Sequence, residues 1–133
     1  LDRVPEAVAV MREGLRRRPD DATALNSLGY TLVDRTRSVA EGHQMIVRAL
    51  AARPDSYAII DSMGWSLIRL GRAAEAREWL QRAWDRSKDP EVAAHLGEVL
   101  WALGERDAAR ALWAEAAEAA PENRTLLRTL ARH

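Results

Sequence analysis

D-S-M-G-W-S-L-I-R-L-G, residues Asp61 to Gly71, carries an unbroken helical pattern with a glycine near its centre. Glycine inside a helix costs roughly 1 kcal/mol relative to alanine, so its presence there needs a reason. Ile60, Met63, Gly64 and Leu67 recur at offsets of three, four and seven and therefore share one helical face. Gly64 sits on the face turned toward the core, where something comes too close for a side chain to fit. The stretch also recurs: Leu28-Gly29 precedes Met63-Gly64 by 35 residues, and Leu96-Gly97 follows it by 33. A fixed period of this length marks an architecture of stacked repeats.

Pro19, Pro54 and Pro121 mark repeat ends, with Lys88-Asp89-Pro90 standing where one proline is missing. Two helices are expected between successive marks. The first helices read Ala22 to Asp34, Ser56 to Leu70 and Pro90 to Leu103. The second helices read Ala40 to Ala52, Ala73 to Ser87 and Asp107 to Ala120. Gly71 and Gly104 supply the turn inside two of the pairs, whereas the first pair turns through Arg35-Thr36-Arg37-Ser38, one residue longer. Alanine, leucine, arginine and glutamate dominate the 133 residues, and phenylalanine is absent. The five prolines and seven glycines punctuate rather than interrupt, so the composition is that of an all-helical chain.

These positions resemble the tetratricopeptide repeat family, whose first helix carries a large residue, Leu-Gly and an aromatic or aliphatic residue, and whose second helix carries small, bulky and proline positions. The first repeat matches with Leu25, Leu28, Gly29, Leu32, Gly42, Ile46, Ala49 and Pro54. The second matches with Ile60, Met63, Gly64, Leu67, Ala76, Leu80 and Ala83, with Lys88 in the proline position. The third matches with Ala94, Leu96, Gly97, Leu100, Ala109, Trp113, Ala116 and Pro121. The resemblance implies a right-handed α-α superhelix of antiparallel helix pairs. It divides the chain into a truncated repeat's second helix (1–21), three repeats (22–55, 56–89 and 90–123) and a C-terminal capping helix (124–133), all one folded unit. It also implies that Gly64 faces Ala76 across its helix pair, as Gly29 faces Gly42 and Gly97 faces Ala109.

Several function classes are disfavoured by composition. Twenty basic residues balance twenty acidic ones, so the broad electrostatic pull toward nucleic acid or an anionic membrane is missing. The cluster Arg12, Arg16, Arg17 and Arg18 closes a helix, where cations complement the dipole. Without cysteine there is no disulfide framework, thiolate nucleophile or sulfur metal site. No run of eighteen apolar residues is long enough to span a membrane. His43, His95 and His133 form no paired metal motif, and no nucleophile elbow, phosphate loop or dinucleotide fingerprint occurs. Neither a cofactor nor catalysis is expected.

The ends are atypical. Val4 to Arg18 reads as a second helix without its first, with Ala7, Met11, Gly14 and Pro19 in the small, bulky, small and proline positions. We expect further repeats upstream, and in isolation dimerisation through exposed Val4, Val8, Met11 and Leu15. Glu122 to Arg132 reads as a terminal cap, with Leu127, Leu130 and Ala131 inward and Arg124, Arg128 and Arg132 outward. From that pattern the natural C-terminus is expected at or near His133.

In the family, first helices line a concave groove that touches ligands. The resemblance assigns Asn26, Tyr30, Asp34, Asp61, Trp65, Arg69, Glu98 and Trp101 to that groove, with Trp101 also suited to packing between repeats. Helical geometry independently puts Asp61, Trp65, Ile68 and Arg69 on a face distinct from Ile60, Met63 and Leu67. Aromatic anchors among charges have the composition of a binding hot spot. Trp113 is expected in the core, and Trp79 and Trp84 between repeats. No first helix contains lysine, so the chain lacks the carboxylate clamp by which some family members grip chaperone C-termini. The expected function is a non-catalytic scaffold or adaptor binding a protein or peptide. The alternative is a purely structural capping or oligomerisation segment of a longer protein with its binding or catalytic part upstream. The chain also looks similar to the C-terminal repeats of bacterial envelope lipoproteins, some of which act as adaptors for carboxyl-terminal processing proteases. That resemblance implies a periplasm-facing, outer-membrane-anchored protein rather than a cytoplasmic one.

Overall fold

A computed structural model describes residues 3–133, which form eight α-helices and no strand. Leu1 and Asp2, at the start of the first expected unit, lie outside the described residues. The helices are α1 (Val4–Arg17), α2 (Ala22–Arg35), α3 (Val39–Ala52), α4 (Tyr57–Arg69), α5 (Ala73–Ser87), α6 (Pro90–Ala102), α7 (Arg106–Ala119) and α8 (Arg124–Arg132). Helices α2 and α3, α4 and α5, and α6 and α7 pair, and each pair stacks on the next to give an all-α helical-repeat solenoid. Helices α2, α4, α6 and α8 lie side by side along one face. Among the described residues, no helix is long and apolar enough to cross a membrane.

The register is set at the helix starts. Asp21, Ser56, Asp89 and Asn123 each accept a hydrogen bond from a backbone N–H in the first turn of α2, α4, α6 and α8 respectively. Such a cap contributes about 1 kcal/mol and fixes where a helix begins. The second helices α1, α3, α5 and α7 have no side-chain cap. Their entry is set by the preceding turn: Gly71 and Gly104 adopt φ of 79° and 84°, a region strained for other residues. The first pair has no glycine there. Its Thr36 hydroxyl donates to the Leu32 carbonyl at 2.6 Å and accepts from the Ser38 N–H at 3.0 Å.

The glycines at the helix crossings all lie close against the second helix. Gly29 and Gly42 meet: a Cβ on Gly42 would lie 2.5 Å from the Gly29 carbonyl oxygen. Above Gly64 the nearest atoms are those of Leu80, which a Cβ would overlap, and above Gly97 those of the Trp113 indole. Each is a bulky residue one turn beyond Ala76 or Ala109, both fully buried, and it reaches over the glycine as Ile46 does over Gly29. At the first crossing, restoring alanine with Gly42→Ala is expected to destabilise the chain by about 1–2 kcal/mol, because backbone and not a flexible side chain is in the way. A urea midpoint that stayed put or rose would overturn this.

Both ends also differ from expectation. Val4 is buried and Val8, Met11 and Leu15 are half-buried, because α1 packs on α2; Val10 is the exposed large apolar residue of α1. In α8, Leu126 and Thr129 are buried against the preceding repeat, whereas Leu127, Leu130 and Ala131 are exposed. Counting from the caps, Leu127, Leu130 and Ala131 match Leu25, Leu28 and Gly29, positions that α3 covers in the first pair. No second helix of the described residues lies over α8 in that way, so its apolar side faces out, while Arg128 and Arg132 border the groove and Arg124 stays exposed.

Candidate functional site

The first helices bound a trough with two adjoining hollows of about 610 and 250 Å³. The larger takes Tyr30 and Asp34 from α2, Trp65 and Arg69 from α4, and Glu91, His95 and Glu98 from α6. Its fourth wall is α8, through Thr125, Arg128, Thr129 and Arg132. The smaller is lined by Asn26, Tyr30, Tyr57, Ala58, Asp61, Ser62, Asp89, Glu91 and Val92. Seven of the eight expected groove residues thus come together across the two hollows. The eighth, Trp101, does not line either one. It stacks on Trp113 at 5.9 Å between centroids, meets the His133 ring at 4.3 Å, and lies under Arg106 and Arg110. Its cap-relative position is that of Val33 and Ile68, which pack inward.

The centre of the trough is His95, read from sequence only as a histidine without a metal partner. It is 5% exposed and its Nδ1–H donates to both Asp61 oxygens, at 2.9 and 3.1 Å. Trp65 stacks on it at 4.4 Å between centroids with planes 21° apart. Its Nε2 lies 3.4 Å from the Tyr30 hydroxyl. The Trp65 indole N–H in turn donates to Asp34 at 3.0 Å. These contacts tie α2, α4 and α6 together, and they fix the two aromatic rings that face the trough. Burial, the largest single influence, pushes the His95 pKa down. The Asp61 charge and hydrogen bond, with Asp34 and Glu91, outweigh it and leave the imidazole above its ordinary value.

The order hydroxyl, imidazole, carboxylate in Tyr30, His95 and Asp61 is that of a catalytic triad. Burial, then the charges of Asp34, Asp61 and Glu91, push the Tyr30 phenol far above its ordinary value against the weaker pull of Arg128. The phenol is thereby kept neutral, and its contact with the imidazole holds the two rings in place.

The four groove residues contributed by α8 extend the same register. Arg128 stands five residues after its cap, as do Asn26 and Asp61; Arg132 stands nine after it, as do Tyr30, Trp65 and Glu98. Arg132 donates to Glu98 at 2.8 Å, His133 Nε2 lies 3.0 Å from the other Glu98 oxygen, and the Thr125 hydroxyl donates to Glu91 at 3.1 Å. All three are contacts of the kind that contribute little individually at a surface.

Comparison with known proteins agrees with this architecture. Two family models, each described as a tetratricopeptide repeat, match residues 1–57 and 58–89. The TPR repeat-containing protein PA4667 of Pseudomonas aeruginosa is 48% identical over 95 residues, 68% of this chain. The chain spans only 16% of the length of that curated relative. Among solved structures, a thermophilic TPR protein of Thermus thermophilus superposes with a TM-score of 0.80 at 23% identity, covering 96% of this chain and 72% of the other. MamA of Desulfovibrio magneticus superposes with a TM-score of 0.72 at 19% identity, covering 86% and 65%. At these identities the two structures speak to the fold alone.

Proposed function

Because the chain belongs to the tetratricopeptide repeat family, we propose that it is a non-catalytic scaffold or adaptor module whose trough holds a peptide or protein partner. The observation that carries this reading is the pair Tyr30 and Trp65. Both rings line the trough, and both are held by side-chain partners before anything binds. A surface ordered in advance loses less entropy when a partner docks. The proposed contacts are Asn26, Tyr30, Asp34, Asp61, Trp65, Arg69 and Glu98, joined by Arg128 of α8, while Trp101 is assigned to packing between repeats. For the longer protein to which such repeats belong, the resemblance to envelope lipoproteins supports a periplasm-facing adaptor anchored at the outer membrane. The bacterial relative is in keeping with that setting.

One observation favours a second reading, in which this segment caps or joins helical arrays. Leu127 and Leu130 are 49% and 37% exposed, in positions that a second helix covers elsewhere in the chain. A photo-crosslinking amino acid separates the two readings. Placed at Ala58 in the trough, it is expected to capture a partner in cells, while the same group at exposed Ala111 on α7 captures none. Capture from Leu130 and not from Ala58 would replace the adaptor reading with the structural one.

A further inference from the structure

Charge is divided unevenly along the trough. The smaller hollow is walled by Asp61, Asp89 and Glu91 and by no basic side chain. The wall arginines, Arg69, Arg128 and Arg132, all belong to the larger hollow. Tyr30 and Glu91 border both, so the hollows are consecutive stretches of one path.

Internal pairing sharpens the contrast. In the larger hollow Asp34 accepts from the Trp65 indole, Glu98 from Arg132, and Glu91 from Thr125. Arg69 and Arg128, on opposite walls, have no hydrogen-bond or ion-pair partner among the described residues. In the smaller hollow Asp61 already accepts from His95 behind it and Asp89 caps α6, while neither Asp89 nor Glu91 has a cationic partner among the described residues. There the Asn26 Oδ1 is buried and accepts no hydrogen bond from the protein. A buried acceptor without a donor is costly, and a ligand that supplies the donor relieves that cost.

Resting on the trough being a partner-binding surface, we propose that it takes an extended protein segment carrying one basic and one acidic side chain a few residues apart. The basic group enters beside Asn26, Asp89 and Glu91, where an ammonium or guanidinium neutralises the carboxylates and a turn of the Asn26 amide brings its buried oxygen a donor. The acidic group lies between Arg69 and Arg128, whose forked donors match a carboxylate. The intervening backbone crosses Tyr30, the residue common to both hollows.

The test uses the ¹⁵N-labelled chain, titrated with end-blocked synthetic peptides on an alanine-serine background. One set carries lysine and glutamate at several separations, and the controls carry lysine only, glutamate only or no charge. The readout is the Asn26 side-chain amide and the Trp65 indole. A two-charge peptide is expected to bind about tenfold more tightly than either single-charge peptide. Asn26→Leu is expected to remove the lysine advantage alone, and Arg69→Ala with Arg128→Ala the glutamate advantage alone. If charged and uncharged peptides shift these signals equally, the division of charge is not what selects the partner, while the trough remains a binding surface. If no peptide moves them at millimolar concentration, the proposal and the reading beneath it both fall.

Discussion

Gly97→Ala is expected to destabilise the chain by about 3 kcal/mol and to lower the thermal midpoint by roughly 10 °C, although it adds a single methyl group. In a helix interior that methyl would ordinarily stabilise by up to about 1 kcal/mol. Here it would overlap Nε1 and Cε2 of Trp113, a ring 1% exposed with Trp101 and His133 packed against it. A rigid bicyclic ring cannot swing aside as the end of a flexible side chain does, so α6 and α7 must separate. Gly14→Ala supplies the internal control. Nothing lies within 4 Å of a Cβ on Gly14, and the substitution is expected to raise stability by about 0.5–1 kcal/mol. Circular dichroism during denaturation reads both, and a double variant with Trp113→Leu should cost less than the sum of its parts. Equal small effects at Gly14 and Gly97 would show that Trp113 does not enforce the glycine.

The second large effect is at the centre of the trough. Asp61→Asn is expected to cost about 2 kcal/mol at pH 6 and clearly less at pH 9, because it leaves a buried imidazole without its counter-charge. His95 has a folded pKa above its unfolded value, so its contribution is full below about pH 6.5 and is lost as pH rises through the folded value. His43 acts with the opposite sign. Burial first, then the Arg72 charge against Glu75, hold its pKa below the ordinary value. The native state therefore disfavours its protonation, and that penalty fades as pH rises toward about 6.5. Denaturation across pH 5 to 9 in a His43→Asn background isolates the His95 slope, and Asp61→Asn should flatten or reverse it. A slope that survives Asp61→Asn would assign it to another group.

The recurring Leu-Gly pairs, the caps and the turn glycines made the helix pairs legible, because each is a local constraint that a single stretch of chain expresses. Tyr30, Asp34, Trp65, Arg69 and Glu98 were legible as one surface for a related reason: they occupy the same side of successive first helices. What sequence reasoning missed lies between helices. His95 and Asp61 are 34 residues apart, one repeat, on neighbouring faces of successive first helices. That spacing was available as a signal, but a search for paired ligands within one helix passes over it. Arg128 and Arg132 were placed on the outside because Leu127 and Leu130 occupy core positions of the pattern. The pattern assumes a covering helix, and with none among the described residues the burial of Leu126 and Thr129 decides which way α8 faces. The closest neighbours of Gly64 and Gly97 were not foreseen because register identifies which turns cross, while the reach of Leu80 and Trp113 depends on their size and direction.

The stitches between neighbouring first helices give the trough an uneven mechanical character. From α2 to α6 they are the Trp65–Asp34 and His95–Asp61 hydrogen bonds and a ring stack, the last two buried at a single histidine. From α6 to α8 the groove-side stitches are Thr125–Glu91, Arg132–Glu98 and His133–Glu98. The α8 side is held mainly by packing instead: Leu126 and Thr129 are buried, and the His133 ring lies against Trp101 and Trp113. The two walls of the trough are thus fastened by different means, polar cross-links at one histidine on one side and apolar seating on the other, so changes of pH loosen the first and changes of temperature the second.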